Sequence, residues 1–416
     1  MENYTVILFI LAIMIGLSAM ADKIKLPYPI LLIVAGIGMG FIPILPPMEI
    51  NPEIIFLIFL PPLLYDAAFN ISFKEFKTNI NTIATLSITL VFLTALGIAA
   101  VSYYLIPGMT WPLAFVLGAI LSATDAVAAI SITKGLGLSH KTNTILEGES
   151  LVNDASALVA YRFAVASVTG SAFVFWKAGL EFLLLLGGGF VVGALMGQVL
   201  AYIIMHVDRN KIVIISFILL MPFITYLIAE ELNVSGVIAV VTLGLSIARF
   251  GNKVFPSTFK EQSKSIWDII IFLLNGLIFI LIGLQFPYTL KNIASAEVGF
   301  YSLVALAITI VALAIRMVRI FLQKINLQRA FSNKKGRITE EALLDFKNSL
   351  IIGWSGMRGI VSLAIALGLP KTLANGSPFP LRDTIIFISV AVVLFTLIGQ
   401  GLTLPWIVRK LEEKEN

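Results

Sequence analysis

Between Gly148 and Tyr161 the chain reads GESLVNDASALVAY, which sets two carboxylates, a carboxamide and a hydroxyl within six residues of an otherwise apolar stretch. At helical pitch Ser150, Asn153 and Asp154 stand at i, i+3 and i+4 and share one face, with Glu149 one turn before Asn153. If the segment starts near Asn143, Asp154 lies roughly 17 Å along it, near the middle of a hydrocarbon core about 30 Å thick. An ionisable group at that depth marks a functional site by default. A bare carboxylate is costly there, so Asp154 is expected to hold either a proton or a cation, and competition of the two for one acid is already an exchange mechanism. Sodium-sized cations prefer oxygen ligands. Asp154, Ser150, Asp125, Thr124 and Asp66, the last in LPPLLYDAAF, offer them from three segments. Asn153 matters by its neutrality: with an amide beside Asp154, one fewer proton titrates, which predicts electroneutral exchange of one cation for one proton.

The elements that must carry these residues are membrane spans. Of 416 residues 58% are hydrophobic and only 13% charged, which excludes an ordinary soluble domain. Zero cysteines exclude disulfides and thiolate metal sites, and two histidines leave little for imidazole ligation. No cofactor is expected beyond the transported ions. The apolar segments 4–21, 26–43, 53–69, 80–106, 111–132, 143–167, 174–205, 213–230, 235–248, 267–286, 299–322, 348–369 and 383–408 predict an all-α polytopic membrane protein of about thirteen transmembrane helices. The segment 235–248 is short enough to be partial or broken. The first span comes after Met1, Glu2 and Asn3 without a basic region or small-residue cleavage site, so it reads as a retained helix.

Loop charge orients the chain. With the N-terminus outside, the inner loops collect Lys23, Lys25, Lys74, Lys77, Lys134, Lys141, Arg209, Lys211, Arg249, Lys253, Lys260, Lys264, Lys324, Arg329, Lys334, Lys335, Arg337 and Lys347, and a short cytoplasmic tail, 409–416, adds Arg409, Lys410 and Lys414. The outer loops hold only Lys177, Lys291, Lys371 and Arg382. The net charge of +5 therefore lies on one side of a membrane, and nucleic-acid binding is not expected. The whole chain, 1–416, reads as one membrane domain: a first half over about 1–167, a linking helix at 174–205 and a second half over 213–408. LSATDAVAAI and GWSGMRGIVSLAIAL fall in the fifth and twelfth segments, seven apart, and so cross in opposite directions. This predicts two inverted repeats whose broken helices meet, with Asp125 neutralising the paired N-terminal ends and Arg358 the paired C-terminal ends.

GESLVND with LSATDAVAAI before it, WDIIIFLLNGLIFILIGLQF, and GWSGMRGIVSLAIAL together resemble the NhaP type of monovalent cation:proton antiporter, over about Leu60 to Leu369. The resemblance implies a homodimer in the plasma (inner) membrane. Each protomer would have a core ion-transport region with crossing broken helices and a separate dimerisation region, working by an elevator-like step. It makes Asp154 the essential ion and proton carboxylate, Asn153 its neutral partner, and Ser150, Thr124, Asp125 and Asp66 further ligands or supporting groups. Glu149 and Arg358 would form a buried ion pair beside the site. Arg316, in AIRMVRIF, matches an arginine of the preceding core helix. The family usually has glutamate where this chain has Asp66. Many relatives carry a cytoplasmic regulatory tail that is not expected here.

Other readings are weaker on chemical grounds. An intramembrane aspartyl protease needs a second aspartate in a Gly-x-Gly-Asp setting, whereas Asp125 and Asp154 are flanked by Thr and Asn. A channel would use repeated pore loops or charged rings. Within the transporter class, potassium competes with sodium or lithium, because ligand number and cavity size decide selectivity. Arg162 and Arg319 are expected to pair internally or snorkel, and Glu147, His140 and His206 to be solvated. The glycines at 187, 188, 189, 193 and 197 suggest small-residue packing, since no phosphate-loop lysine comes after them.

Overall fold

The computed structural model describes residues 3–24, 27–42, 52–133, 136, 138–169, 175–206, 211–254, 257–333, 339–373 and 376–412. Of the basic residues assigned to loops, Lys25, Lys134, Arg209, Lys334, Lys335, Arg337 and Lys414 lie outside them. Among the described residues there are α-helices, short 3-10 and π turns and no strand. That is the expected consequence of apolar segments whose backbone groups must be satisfied within the segment. In chain order the helices are α1 (Asn3–Ile24), α2 (Tyr28–Gly40), α3 (Pro52–Asn70), α4 (Phe73–Thr78), α5 (Ile80–Ala84), α6 (Leu90–Leu105), α7 (Trp111–Ile120), α8 (Ala126–Ile132) and α9 (His140–Val168). Beyond them lie α10 (Phe175–His206), α11 (Lys211–Glu231), α12 (Gly236–Val254), α13 (Ser257–Leu290), α14 (Ser295–Ser332), α15 (Phe346–Trp354), α16 (Ile360–Leu367), α17 (Arg382–Phe395) and α18 (Gly401–Glu412). Among the described residues, seven helical runs are long and apolar enough to cross a membrane, and five shorter apolar helices accompany them.

Every expected span meets a helix or a pair of half-helices. The segment 111–132 divides into α7 and α8 around 121–125, and 348–369 divides into α15 and α16 around 355–359. The segment 235–248 is not broken: α12 is one continuous helix of 19 residues, although its apolar run is among the shorter ones. Apolar counting stops at Ala248, next to Arg249, but helical hydrogen bonding does not require apolar side chains and runs on to Val254. α13 and α14 outrun their apolar stretches for the same reason. Two π turns interrupt otherwise continuous helix, Thr85–Thr89 between α5 and α6 and Thr396–Gln400 between α17 and α18. Such turns release the regular backbone ladder locally and recur at functional positions.

The chain forms two compact units, with the division falling inside α13 between Leu274 and Asn275. The first unit comprises 1–50, 78–171 and 275–416, and holds both interrupted helices together with α9. One of its apolar clusters joins Leu86 and Leu90 to Ile145 and Leu146 of α9, Ile320 and Leu327 of α14, Leu344 and Ile352. The second unit comprises 51–77 and 172–274. There α10 packs on α12 through a row of small residues, as the glycine spacing predicts. A Cβ on Gly189 would strike the Ser235 carbonyl, and one on Gly193 would strike that of Ala239, whereas Gly187 faces open space.

Candidate functional site

The first interruption runs from Leu121 to Asp125. α7 stops at Ile120, and α8 restarts with Asp125 as its N-cap, the carboxylate accepting from the amides of Val127 at 2.9 Å and Ala128 at 3.3 Å. An acid at this position satisfies orphan helix donors and meets the positive end of the helix dipole. The Ile360 amide, the first of α16, donates to the same carboxylate. The Asp125 amide in turn donates to the Met357 carbonyl at 2.8 Å. One aspartate thus joins the N-terminal ends of both second half-helices. Gly359 makes this approach possible, because a Cβ there would collide with the Asp125 carboxylate.

Arg358 performs the opposite service. Its Nε donates to the Leu121 carbonyl at 2.9 Å, where α7 ends, and its Nη1 donates to the Gly356 carbonyl just beyond α15. Its side chain is nearly fully buried, and the negative ends of two half-helices supply the compensating partial charge. The Arg358 amide donates to Thr396 Oγ1 at 3.1 Å, so the second π turn supports this interruption.

Glu149 pairs with Arg316 of α14, and this corrects the expected Glu149–Arg358 pair. Arg316 Nη1 and Nη2 engage the two carboxylate oxygens, the second contact at 2.7 Å, while Nε donates to the Ile352 carbonyl at 3.1 Å. Both side chains are buried, 1% and 2% exposed, so neither charge is left to water. Opposite charges near one site are legible in a sequence, but which of two buried arginines meets the acid depends on how α14 and α15 lie against α9.

From this pair a hydrogen-bond chain leads to the polar face of α9. The Thr124 hydroxyl donates to Glu149 Oε1 at 2.8 Å, and having given its only proton it accepts from Asn153 Nδ2, also at 2.8 Å. Asn153 Nδ2 also reaches the Thr124 carbonyl at 3.1 Å, to which Ser150 Oγ donates at 3.3 Å. The amide is therefore turned so that Asn153 Oδ1 is buried and without a partner. Asp154, next in the chain and 7% exposed, has no hydrogen-bond donor against its carboxylate among the described residues. The charges that act on it are the carboxylates of Asp125 and Glu149, both of its own sign.

Six expected residues on two segments, Thr124, Asp125, Glu149, Ser150, Asn153 and Asp154, come together in the first unit with Arg316 and Arg358. Asp66 belongs to the second unit, on α3, where its carboxylate accepts from Asn70 Nδ2 at 2.8 Å. His140 and His206 are exposed at helix ends, His206 bonding the Tyr202 carbonyl at 2.9 Å. No group of three or more His, Cys, Asp or Glu suited to a resident metal occurs among the described residues. Sequence reasoning passed over Thr396, a hydroxyl in an apolar span, and Asn348, three residues after the helix cap Asp345.

Comparison with known proteins shows the family and the fold. The family model for the transmembrane sodium/hydrogen exchanger matches residues 8–410. The Na(+)/H(+) antiporter ApNhaP of Aphanothece halophytica is 33% identical, over 99% of this chain and 75% of that protein. The sodium, potassium, lithium and rubidium/H(+) antiporter of Bacillus subtilis is 32% identical, over 97% of this chain and 61% of that protein. Among solved structures, the sodium proton antiporter MjNhaP1 from Methanocaldococcus jannaschii superimposes with a TM-score of 0.73, at 24% identity over 99% of each chain, a likeness of fold.

Proposed function

The chain belongs to the sodium/hydrogen exchanger family, and from that premise we propose that it exchanges sodium or lithium for protons across a membrane, with both ions competing for Asp154. The observation that carries this reading is an imbalance of partners. Glu149 has Arg316, Asp125 has the amides of two half-helices, and Arg358 has the carbonyls of two more. Among the described residues, Asp154 is buried without a hydrogen-bond donor, and the charges named beside it are carboxylates. Such a carboxylate is stable only with a proton on it or a cation against it.

Sodium is cargo in this scheme. Asp154 and Ser150 Oγ supply oxygens beside it, Asn153 Oδ1 is the unpartnered neutral oxygen next to them, and the Thr124 carbonyl and Asp125 complete or support the shell. Asp66 is assigned a supporting part. With Asp154 as the only acid free to change occupancy, one cation replaces one proton and the exchange is electroneutral. Alternating access by an elevator-like step, a homodimer in the plasma membrane with the N-terminus outside, and no resident cofactor complete the proposal; family membership and the loop-charge asymmetry support them. The name of the Bacillus subtilis relative favours a second reading, in which potassium is also carried.

The test uses purified protein in vesicles with an acid interior. Added sodium discharges the gradient, Asp154→Asn abolishes the discharge, and lowering the pH raises the sodium concentration needed for half-maximal rate, because protons occupy the same carboxylate. Discharge that persists in Asp154→Asn sinks the proposal. Repeating the assay with lithium and potassium fixes selectivity, and stimulation by an imposed membrane potential would exclude one-for-one exchange.

A further inference from the structure

α9 opens against a local rule. Lys141 is its second residue, where a cation opposes the positive end of the helix dipole, and a contact elsewhere must compensate. That contact is with the segment leading into α15. Lys141 Nζ donates to the Glu341 carbonyl at 2.6 Å and to the Leu343 carbonyl as well. Between and beyond these carbonyls, Ala342 and Leu344 are buried, and Leu344 packs with Ile145 and Leu146 of α9 and Ile320 of α14. A second set of bonds lies alongside. Thr142 Oγ1 and Ser139 Oγ donate to Asn348 Oδ1 at 2.6 and 3.2 Å, and Asn348 Nδ2 donates to Asp345, the N-cap of α15.

The first turn of α9 is thereby bonded to the first turn of α15 and to the strap 339–345 before it. Both helices lead from this link into the site. α9 runs on to Glu149, Ser150, Asn153 and Asp154, and α15 runs into the interruption that carries Met357 and Arg358. At the far end of α9, Tyr161 Oη donates to the Gly368 carbonyl at 3.5 Å. The Lys141 end thus carries a short, direct set of bonds between α9 and the approach to the second broken helix.

We propose that Lys141 is a positioning residue: by clasping the strap 339–345 it holds α9 in register with α15, and so sets how tightly the cleft around Asp154 receives its cation. The inference rests on the exchange reading above. The experiment measures sodium-driven proton release from vesicles containing wild-type protein, Lys141→Met, Lys141→Arg and Thr142→Val, together with hydrogen exchange of the strap amides in the same proteins. Lys141→Met raises the half-saturating sodium concentration several-fold with the maximal rate per folded protein retained, and its strap amides exchange faster. Lys141→Arg, which can still donate to the carbonyls, restores both. Thr142→Val moves both in the same direction without a change of charge, and serves if Lys141→Met does not fold. Faster strap exchange with unaltered sodium dependence overturns the inference, as does strap exchange that stays at the wild-type rate. Absence of sodium-driven release by the wild-type protein overturns the exchange reading, and this inference with it.

Discussion

In the unit that holds both interrupted helices, the middle of the structure is organised by charge. Glu149, Arg316 and Arg358 are each no more than 2% exposed, and each is satisfied by an ion pair or by carbonyls at helix ends. In the other unit α10 meets α12 backbone to backbone, through Gly189 and Gly193 against the carbonyls of Ser235 and Ala239. The second solution needs no desolvated charge and gives close van der Waals packing, the usual basis of helix association where no hydrophobic drive exists between helices. The first is costly to assemble, because several ions leave water together. Its value lies in what it leaves over. With Glu149, Arg316, Arg358 and Asp125 compensated, Asp154 is the acid that the proposed exchange uses.

Breaking the ion pair from one side tests this contrast most severely. Arg316→Met leaves Glu149 buried and unpaired, and is expected to destabilise by about 3–5 kcal/mol. Thermal unfolding in detergent reads the loss, and a shift no larger than that of an exposed substitution would mean the pair is not buried together in the folded protein. Adding Glu149→Met to that variant removes the stranded charge, so most of the stability returns. Exchange should stay impaired in the double variant, since Thr124 loses its acceptor and no longer turns the Asn153 amide. Equal stability of single and double variants contradicts the charge-balance argument. In the second unit Gly193→Val drives a side chain into the Ala239 carbonyl and the Thr242 side chain, for about 1–3 kcal/mol of overpacking. An unchanged melting temperature there shows that α10 and α12 are not in close contact. The smallest effect belongs to Gly187→Ala, where nothing lies within 4 Å: a change of at most about 0.5 kcal/mol, checked in the same assay.

Much of this architecture is legible in the residues. Long apolar segments, the polar face at Ser150, Asn153 and Asp154, and the two interruptions emerge from composition and periodicity, since hydrocarbon forces helices and makes buried acids conspicuous. The complementary use of Asp125 and Arg358 at helix ends comes from the dipole of each half-helix. Three matters are not legible. The family resemblance assigns Glu149 to Arg358, whereas the arginine that meets it lies in a different helix. Apolar counting makes α12 short, because it stops where charged residues begin. The Lys141 clasp is invisible because it uses backbone carbonyls, which every residue carries and no motif displays.

The linear order of residues by itself determined that this protein is a bundle of apolar helices with an acid held deep inside, because the energetics of burial depend on residue type and spacing alone. Only the tertiary structure decided which charges cancel one another, which way the Asn153 amide faces and why Asp154 has no hydrogen-bond donor among the described residues. Those outcomes depend on distances between segments far apart in the chain, and a few ångströms separate a neutralised group from one able to exchange its ion.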